Sequence, residues 1–246
     1  MENNIFSSSA TYHDVPSSAV PKTFLASVFS YMTAALVITG VVAYVVGGLN
    51  GGKIMYDLFV KADGSISPLW WVVVFAPLGL VLLMSFAFNR LSSVGMLAIF
   101  ILYSILMGLS MGSIFLIYTM GSIISVFFIT AGTFGAMAFI GYTTKTDLTK
   151  LGSILMMALI GICIASLVTF LIPGENKMVT FGINCLGVVI FCGLTAYDMQ
   201  KLKYIGAEMG TGSEIASKTA IMGALSLYLD FINLFLFLLR LFGSRE

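Results

Sequence analysis

The chain has 246 residues, of which 59% are hydrophobic and only 9% are charged, whereas about 25% of the residues of a soluble domain are charged. This composition argues against a water-soluble fold. The 12 basic and 11 acidic residues nearly cancel, so no large field of one sign is present to recruit nucleic acid, and lipids, small ions and other membrane proteins are the expected partners.

The first 21 residues differ in composition from the rest of the chain. They are rich in serine and contain Pro16 and Pro21. We predict a flexible polar tail over residues 1–21, followed by one transmembrane domain over residues 22–246.

Seven apolar stretches follow this tail, each long enough to cross a hydrocarbon core about 30 Å thick as a helix rising 1.5 Å per residue. Helices are expected because an open sheet would leave peptide groups unpaired in lipid. The predicted fold class is therefore all-α, a polytopic membrane protein with seven transmembrane helices. The predicted spans are residues 24–46, 69–88, 94–118, 123–142, 151–172, 179–197 and 220–239.

The basic residues between these spans predict the orientation. Seven of them fall on the amino-terminal side of the membrane and five on the other, which favours a cytoplasmic amino terminus. If the last span re-entered the membrane without crossing it, the ratio would become nine to three, so charge alone leaves both topologies open. The two groups are Lys22, Arg90, Lys145, Lys150, Lys201, Lys203 and Lys218, and Lys53, Lys61, Lys177, Arg240 and Arg245.

Asp230 is an acidic residue near the middle of the last span, where an ionised carboxylate costs roughly 2.5 to 3.5 kcal/mol on insertion scales. Ser226 and Asn233 lie four residues before and three residues after it, so the three share one face of a helix. We expect this polar face to point into the bundle, since acids within membranes mark ion or proton pathways. The alternative is a permanently protonated Asp230 that only hydrogen-bonds a neighbouring helix.

Asp198 follows the sixth span directly and by itself resembles an ordinary interfacial acid. If it met Asp230 in a low dielectric, the two carboxyls could not both ionise cheaply and would titrate as a pair. As the spans are drawn, Asp198 is about 8 Å nearer the membrane surface than Asp230. Pairing requires the sixth helix to continue to about Lys203, the seventh to start deeper, or a water-filled funnel to reach both.

Arg90 follows the second span, on the same side of the membrane as Asp198. A guanidinium can hold a carboxylate through two parallel hydrogen bonds, so Arg90 is a candidate latch for the acidic pair. Its other interpretation is a charge that only sets the topology.

Hydrolytic chemistry is not expected from this composition. The one histidine, His13, lies in the tail, so histidine-assisted hydrolysis within the membrane is excluded. The three cysteines lie in apolar runs and are expected to pack as small apolar residues, so neither a metal centre nor a cofactor is predicted. We predict that the protein is not an enzyme, with an aspartyl protease built on two acids as the remaining alternative.

Three stretches near the carboxyl end resemble the Bax inhibitor-1 family, also called the transmembrane Bax inhibitor motif family. They read Ala-Tyr-Asp-Met-Gln at 196–200, Ala-Leu-Ser-Leu-Tyr-Leu-Asp-Phe-Ile-Asn-Leu-Phe at 224–235 and Leu-Leu-Arg-Leu-Phe-Gly at 238–243. The resemblance implies a bacterial inner (plasma) membrane protein whose last helix is central and surrounded by the other six.

The resemblance also implies a pH-sensitive calcium leak. In this family two aspartates, here Asp198 and Asp230, share a proton and hold the cytoplasmic end shut with an arginine of the second helix. Arg90 is the nearest match to that arginine, and a shift of one residue would place Asn89 there. Some bacterial members instead resemble modulators of a membrane-anchored AAA protease.

Two functional hypotheses follow from these observations. In the first, the protein is a passive cation pathway, with calcium as the transported ion, the proton as regulator, and Asp198 and Asp230 as transient calcium ligands. In the second, it is a regulator or scaffold that transports nothing and acts on a membrane protease or another membrane partner.

Overall fold

The computed structural model describes residues 22–61, 63–171, 177–209 and 213–245. The predicted polar tail, residues 1–21, lies outside these residues. The chain forms helices α1 Lys22–Ala43, α2 Lys53–Phe59, α3 Pro68–Phe86, α4 Ser93–Met111, α5 Met120–Thr143, α6 Thr149–Leu171, α7 Lys177–Glu208 and α8 Glu214–Phe242.

Seven helical segments of the described residues are long and apolar enough to cross a membrane, the first of them running from Thr23 to Phe59 and including α2. The prediction of an all-α protein with seven transmembrane helices is therefore confirmed. Hydroxyl side chains cap the starts of several helices by accepting backbone N–H bonds. These caps are Ser67 for α3, Ser92 for α4, Thr119 for α5 and Ser213 for α8.

The predicted limits of the sixth and seventh spans are wrong. Helix α7 continues beyond Tyr197 to Glu208, and α8 begins at Glu214. Lys201 marks a change in polarity but does not end the helix, because Met199 and Leu202 keep one face of α7 buried. The connection predicted over residues 198–219 is therefore mostly helical.

Helix α8 crosses the whole bundle. Its 29 residues span about 43 Å at helical rise. At its start, the Glu214 carboxylate accepts a hydrogen bond from the Ser93 backbone. Just past its end, the Ser244 carbonyl accepts one from the Thr119 backbone, at the turn between α4 and α5. A re-entrant last helix is thus excluded, and we call the two ends of the bundle the amino-terminal side, where α8 starts, and the carboxyl-terminal side.

The centre of the bundle is occupied by α8, as the family resemblance implied. It packs against α1, α4, α5 and α7, and Ala224, Leu227, Tyr228 and Leu234 are completely buried around its circumference. The expectation that all six other spans surround it needs correction, because α3 packs mainly on α4 and α6 mainly on α7. Four helices form the wall around α8, and α3 and α6 form an outer layer.

Candidate functional site

The antiparallel packing of α7 and α8 sets the level of the two acids. Gly223 of α8 faces the side chain of Leu202, and Gly187 of α7 faces the ring of Phe237. Between these contacts, Ser226 and Asp198 line the wall of one cavity from the two helices.

Asp230 lies one helical turn beyond Ser226 on the same face of α8, and so about 6 Å deeper than Asp198. The sequence-based mismatch of about 8 Å is therefore largely retained, although Asp198 now lies ten residues inside the end of α7 at Glu208. The Asp198 carboxyl is close enough to act electrostatically on that of Asp230.

Asp230 is only 5% exposed, and its Oδ2 atom has no hydrogen-bond partner among the described residues. Buried polar atoms are nearly always paired in folded proteins, and a carboxyl oxygen removed from water without a partner is costly. A bound proton, water molecule or cation would stabilise this oxygen.

Few charges surround this pair. Residues 23–43 of α1, 93–111 of α4 and 120–143 of α5 include no acidic or basic residue, although all three helices pack on α8. On α7, Lys201 lies one turn beyond Asp198 and interacts with it favourably, but the Lys201 side chain is exposed. The electrostatics of the site therefore depend mainly on the two carboxyls themselves.

A cavity of about 170 Å³ lies between α7 and α8 on the amino-terminal side of Asp230. It is large enough for roughly five water molecules at liquid density. Asp198 and Ser226 are its deepest residues along the two helices. The lining consists of Asp198, Lys201, Leu202 and Ile205 from α7 and Thr219, Met222, Gly223 and Ser226 from α8.

A second cavity, of about 290 Å³, lies on the carboxyl-terminal side and reaches α8 at Leu236. Its lining consists of Met107, Ser110, Met111, Ser113, Ile114, Ile117, Tyr118, Leu236, Leu239 and Arg240. Along α8, the two cavities are separated by the interval from Ser226 to Leu236, about 15 Å at helical rise. Asp230 and Asn233 lie in this interval.

Asn233 was predicted to support the acidic pair. Its side-chain nitrogen instead donates to the Leu229 carbonyl of the same helix, at 2.8 Å. Of the two predicted supporting residues, Ser226 is therefore the one that lines a cavity together with an aspartate.

The structure does not bring the predicted latch to the aspartates. Arg90 and Asn89 are both exposed in the turn between α3 and α4, and the Arg90 backbone N–H donates to the Ala87 carbonyl. The prediction fails because the turn ends at the surface, whereas Asp230 is buried within the bundle.

Lys218 of α8 is the cation that binds this turn, and sequence reasoning missed it. Its Nζ donates to the carbonyls of Phe88 at 3.0 Å and Leu91 at 3.2 Å, which lie just past the end of α3, where helices leave carbonyls unpaired. The Glu214 carboxylate holds the start of α4 through the Ser93 N–H. The sequence carries a signal for a helix here, because Glu214 and Lys218 are an acid and a base four residues apart, but they lie outside the predicted spans.

The opposite face of α8 is fixed by a buried chain of hydrogen bonds that was also missed. The Thr39 hydroxyl donates to the Ser104 carbonyl at 2.9 Å, so it accepts the hydrogen bond from the Tyr228 hydroxyl, at 2.7 Å. These bonds tie α8 to α1 and α4.

Comparison with known proteins gives consistent results over nearly the whole chain. The model of the family described as "Inhibitor of apoptosis-promoting Bax1" matches residues 21–246. Inner membrane protein YbhL of Escherichia coli K12 is 45% identical over 226 residues, covering 92% of this chain and 93% of that protein. A protein of Borreliella burgdorferi is 46% identical over 223 residues, covering 91% and 92% of the two chains.

Proposed function

This chain belongs to the Bax inhibitor-1 family and is a multi-pass integral membrane protein, and from this premise we propose that it conducts cations, calcium in particular, in a pH-dependent manner. The observation that carries the proposal is the buried and unpaired carboxyl oxygen of Asp230, one turn from Asp198 and between two cavities. In this proposal, the pathway is closed while the two cavities stay separate.

The proposed closed state depends on one proton shared by the two carboxyls. With that proton bound, the pair carries a single negative charge and the interval between the cavities stays dry. When the proton leaves, two negative charges about one turn apart repel each other strongly, because the surrounding dielectric is low. The charged interval then draws in water and joins the two cavities.

Calcium would bind only transiently in this interval. It takes six to eight oxygen ligands, and two carboxylates with the Asn233 amide oxygen supply fewer. No cluster of three or more His, Cys, Asp or Glu side chains suited to a metal occurs among the described residues. Water must therefore complete the coordination, and the resulting weak binding suits an ion in transit.

The test is calcium flux into proteoliposomes that contain the purified protein and an internal calcium indicator, at a series of values from about pH 6 to 8. Wild-type flux should rise with pH as the shared proton is lost. Asp198→Asn and Asp230→Asn should each abolish this rise. Each variant retains only one of the two carboxyls, so no proton can be shared.

Asp147→Asn is the matched control, since Asp147 is an exposed carboxylate in the turn between α5 and α6. It should behave as wild type. Unchanged flux and unchanged pH response in both site variants would refute the proposal, and absence of wild-type flux at every pH would leave the non-transporting regulator as the better hypothesis.

A further inference from the structure

We infer that Arg240 is a positive barrier that limits cation passage at the carboxyl-terminal side, an inference that rests on the proposed cation conduction. Arg240 lines the larger cavity and lies two residues before the end of α8. Its side chain is exposed, so its charge lies at the mouth of the cavity.

Aromatic contacts hold this guanidinium in place. Its central carbon lies 5.8 Å from the centre of the Phe237 ring, within the range of a cation–π interaction. Phe237 is itself fixed, because it stacks on Phe191 at 5.8 Å and packs against Gly187. The guanidinium is therefore held beside a fixed ring at the end of α8, the end at which Arg240 lines the cavity.

The two cavities differ in their charge. None of the residues lining the larger cavity is acidic, and a second guanidinium, that of Arg245, lies 5.9 Å from the ring of the lining residue Tyr118. The smaller cavity has Asp198 in its wall together with Lys201. A cation thus meets a carboxylate in the wall of the smaller cavity, whereas Arg240 is the only charged residue among the described residues that line the larger cavity.

Coulomb repulsion is proportional to the charge of the permeating ion, so Arg240 should slow calcium more than a monovalent cation. Arginine forms barriers of this kind in other membrane pores. Because the guanidinium is exposed, dissolved salt should screen much of the effect. A flux that depends on the charge of the permeating ion and on the ionic strength identifies a charge barrier. A change in packing would produce neither dependence.

The experiment compares Arg240→Gln and Arg240→Lys with wild type in the same proteoliposomes at low and at high ionic strength. Arg240→Gln should raise the initial calcium flux by roughly two- to tenfold at low ionic strength and by less at high ionic strength. Arg240→Lys keeps the charge and should match wild type. Lys61→Gln is the control, since Lys61 is exposed on the same side and does not line the cavity.

The outcomes separate this inference from the proposed function. Equal flux in Arg240→Gln and wild type at low salt, or the same change in the glutamine and lysine variants, would overturn the inference while the response to Asp230→Asn still supports conduction. Absence of flux in wild type and all variants would overturn the proposed function itself. Arg240→Met provides a second neutral side chain and should reproduce the glutamine result.

Discussion

Asp198 and Asp230 differ in their surroundings. Their depths in the bundle differ by only about one helical turn. Asp198 is partly exposed and lines a cavity together with Ser226. Asp230 lies deeper, with one oxygen unpaired. Sequence alone predicted that these two residues mattered, because an acid within an apolar span is costly. It could not predict which partners they find, since these depend on how α7 and α8 are aligned.

Removing the Ser226 hydroxyl should change the pH at which the pathway opens. Ser226 lines the same cavity as Asp198, and in the proposed pathway its hydroxyl donates to the ionised Asp198 carboxylate. Such a bond stabilises the ionised form, so Ser226→Ala should shift the midpoint of the flux profile to higher pH. The loss of one hydrogen bond to a charged group, about 1.5 kcal/mol at the low end, corresponds to roughly one pH unit.

Ser226→Thr keeps the hydroxyl and serves as the matched control in the same flux measurement. Its midpoint should stay near that of wild type. If alanine and threonine gave the same midpoint as wild type, the Ser226 hydroxyl would have no part in opening.

The sequence predicted the presence of the transmembrane helices more accurately than the residues at which they begin and end. Apolar length locates a span because the hydrocarbon core sets it, but a helix can continue beyond its apolar stretch while one face stays buried. Helix α7 does so from Tyr197 to Glu208, where Gly206 packs against the ring of Phe24. The same limitation hid Lys218, whose bonds to the turn after α3 became visible only when α8 was found to begin at Glu214.

Close packing between α5 and α7 gives a prediction about stability. A Cβ atom added at Gly141 would overlap the Ala196 carbonyl, whereas one added at Gly135 of the same helix meets nothing within 4 Å. Gly141→Ala should therefore destabilise the fold by about 1 to 3 kcal/mol through overpacking. Gly135→Ala should be neutral or stabilising by up to about 1 kcal/mol, because alanine favours helix.

The measurement is the thermal unfolding midpoint of each purified variant in one detergent. Equal midpoints for the two alanine variants would mean that α5 and α7 do not approach each other as closely as the structure has them.

For the whole molecule, composition and periodic apolar length were sufficient to predict the class and the number of spans. The carboxyl-terminal motifs were sufficient to predict the family. The central position of α8 followed from the family resemblance, and its burial confirms it. Which helices line α8 could not be predicted, because the first six spans contain no charged residue and their sequences do not distinguish neighbours. The cytoplasmic amino terminus stays a prediction from charge, now for a chain in which α8 crosses fully.

In the proposed pathway, two cavities stop at Ser226 and Leu236, and the acidic pair controls the interval between them. We propose that the pair holds one proton when the pathway is closed and loses it on opening. Charge repulsion would then supply the free energy that opens the interval. Neither cavity alone would connect the two sides of the membrane.

Infrared absorption of protonated carboxyl groups tests this claim most directly, recorded against pH on the wild-type protein and on Asp230→Asn in lipid. We predict a band from one buried protonated carboxyl in the wild type, which disappears over the same pH range in which calcium flux rises and is absent from Asp230→Asn. A band that persists while flux rises, or that is unchanged in Asp230→Asn, would contradict the account.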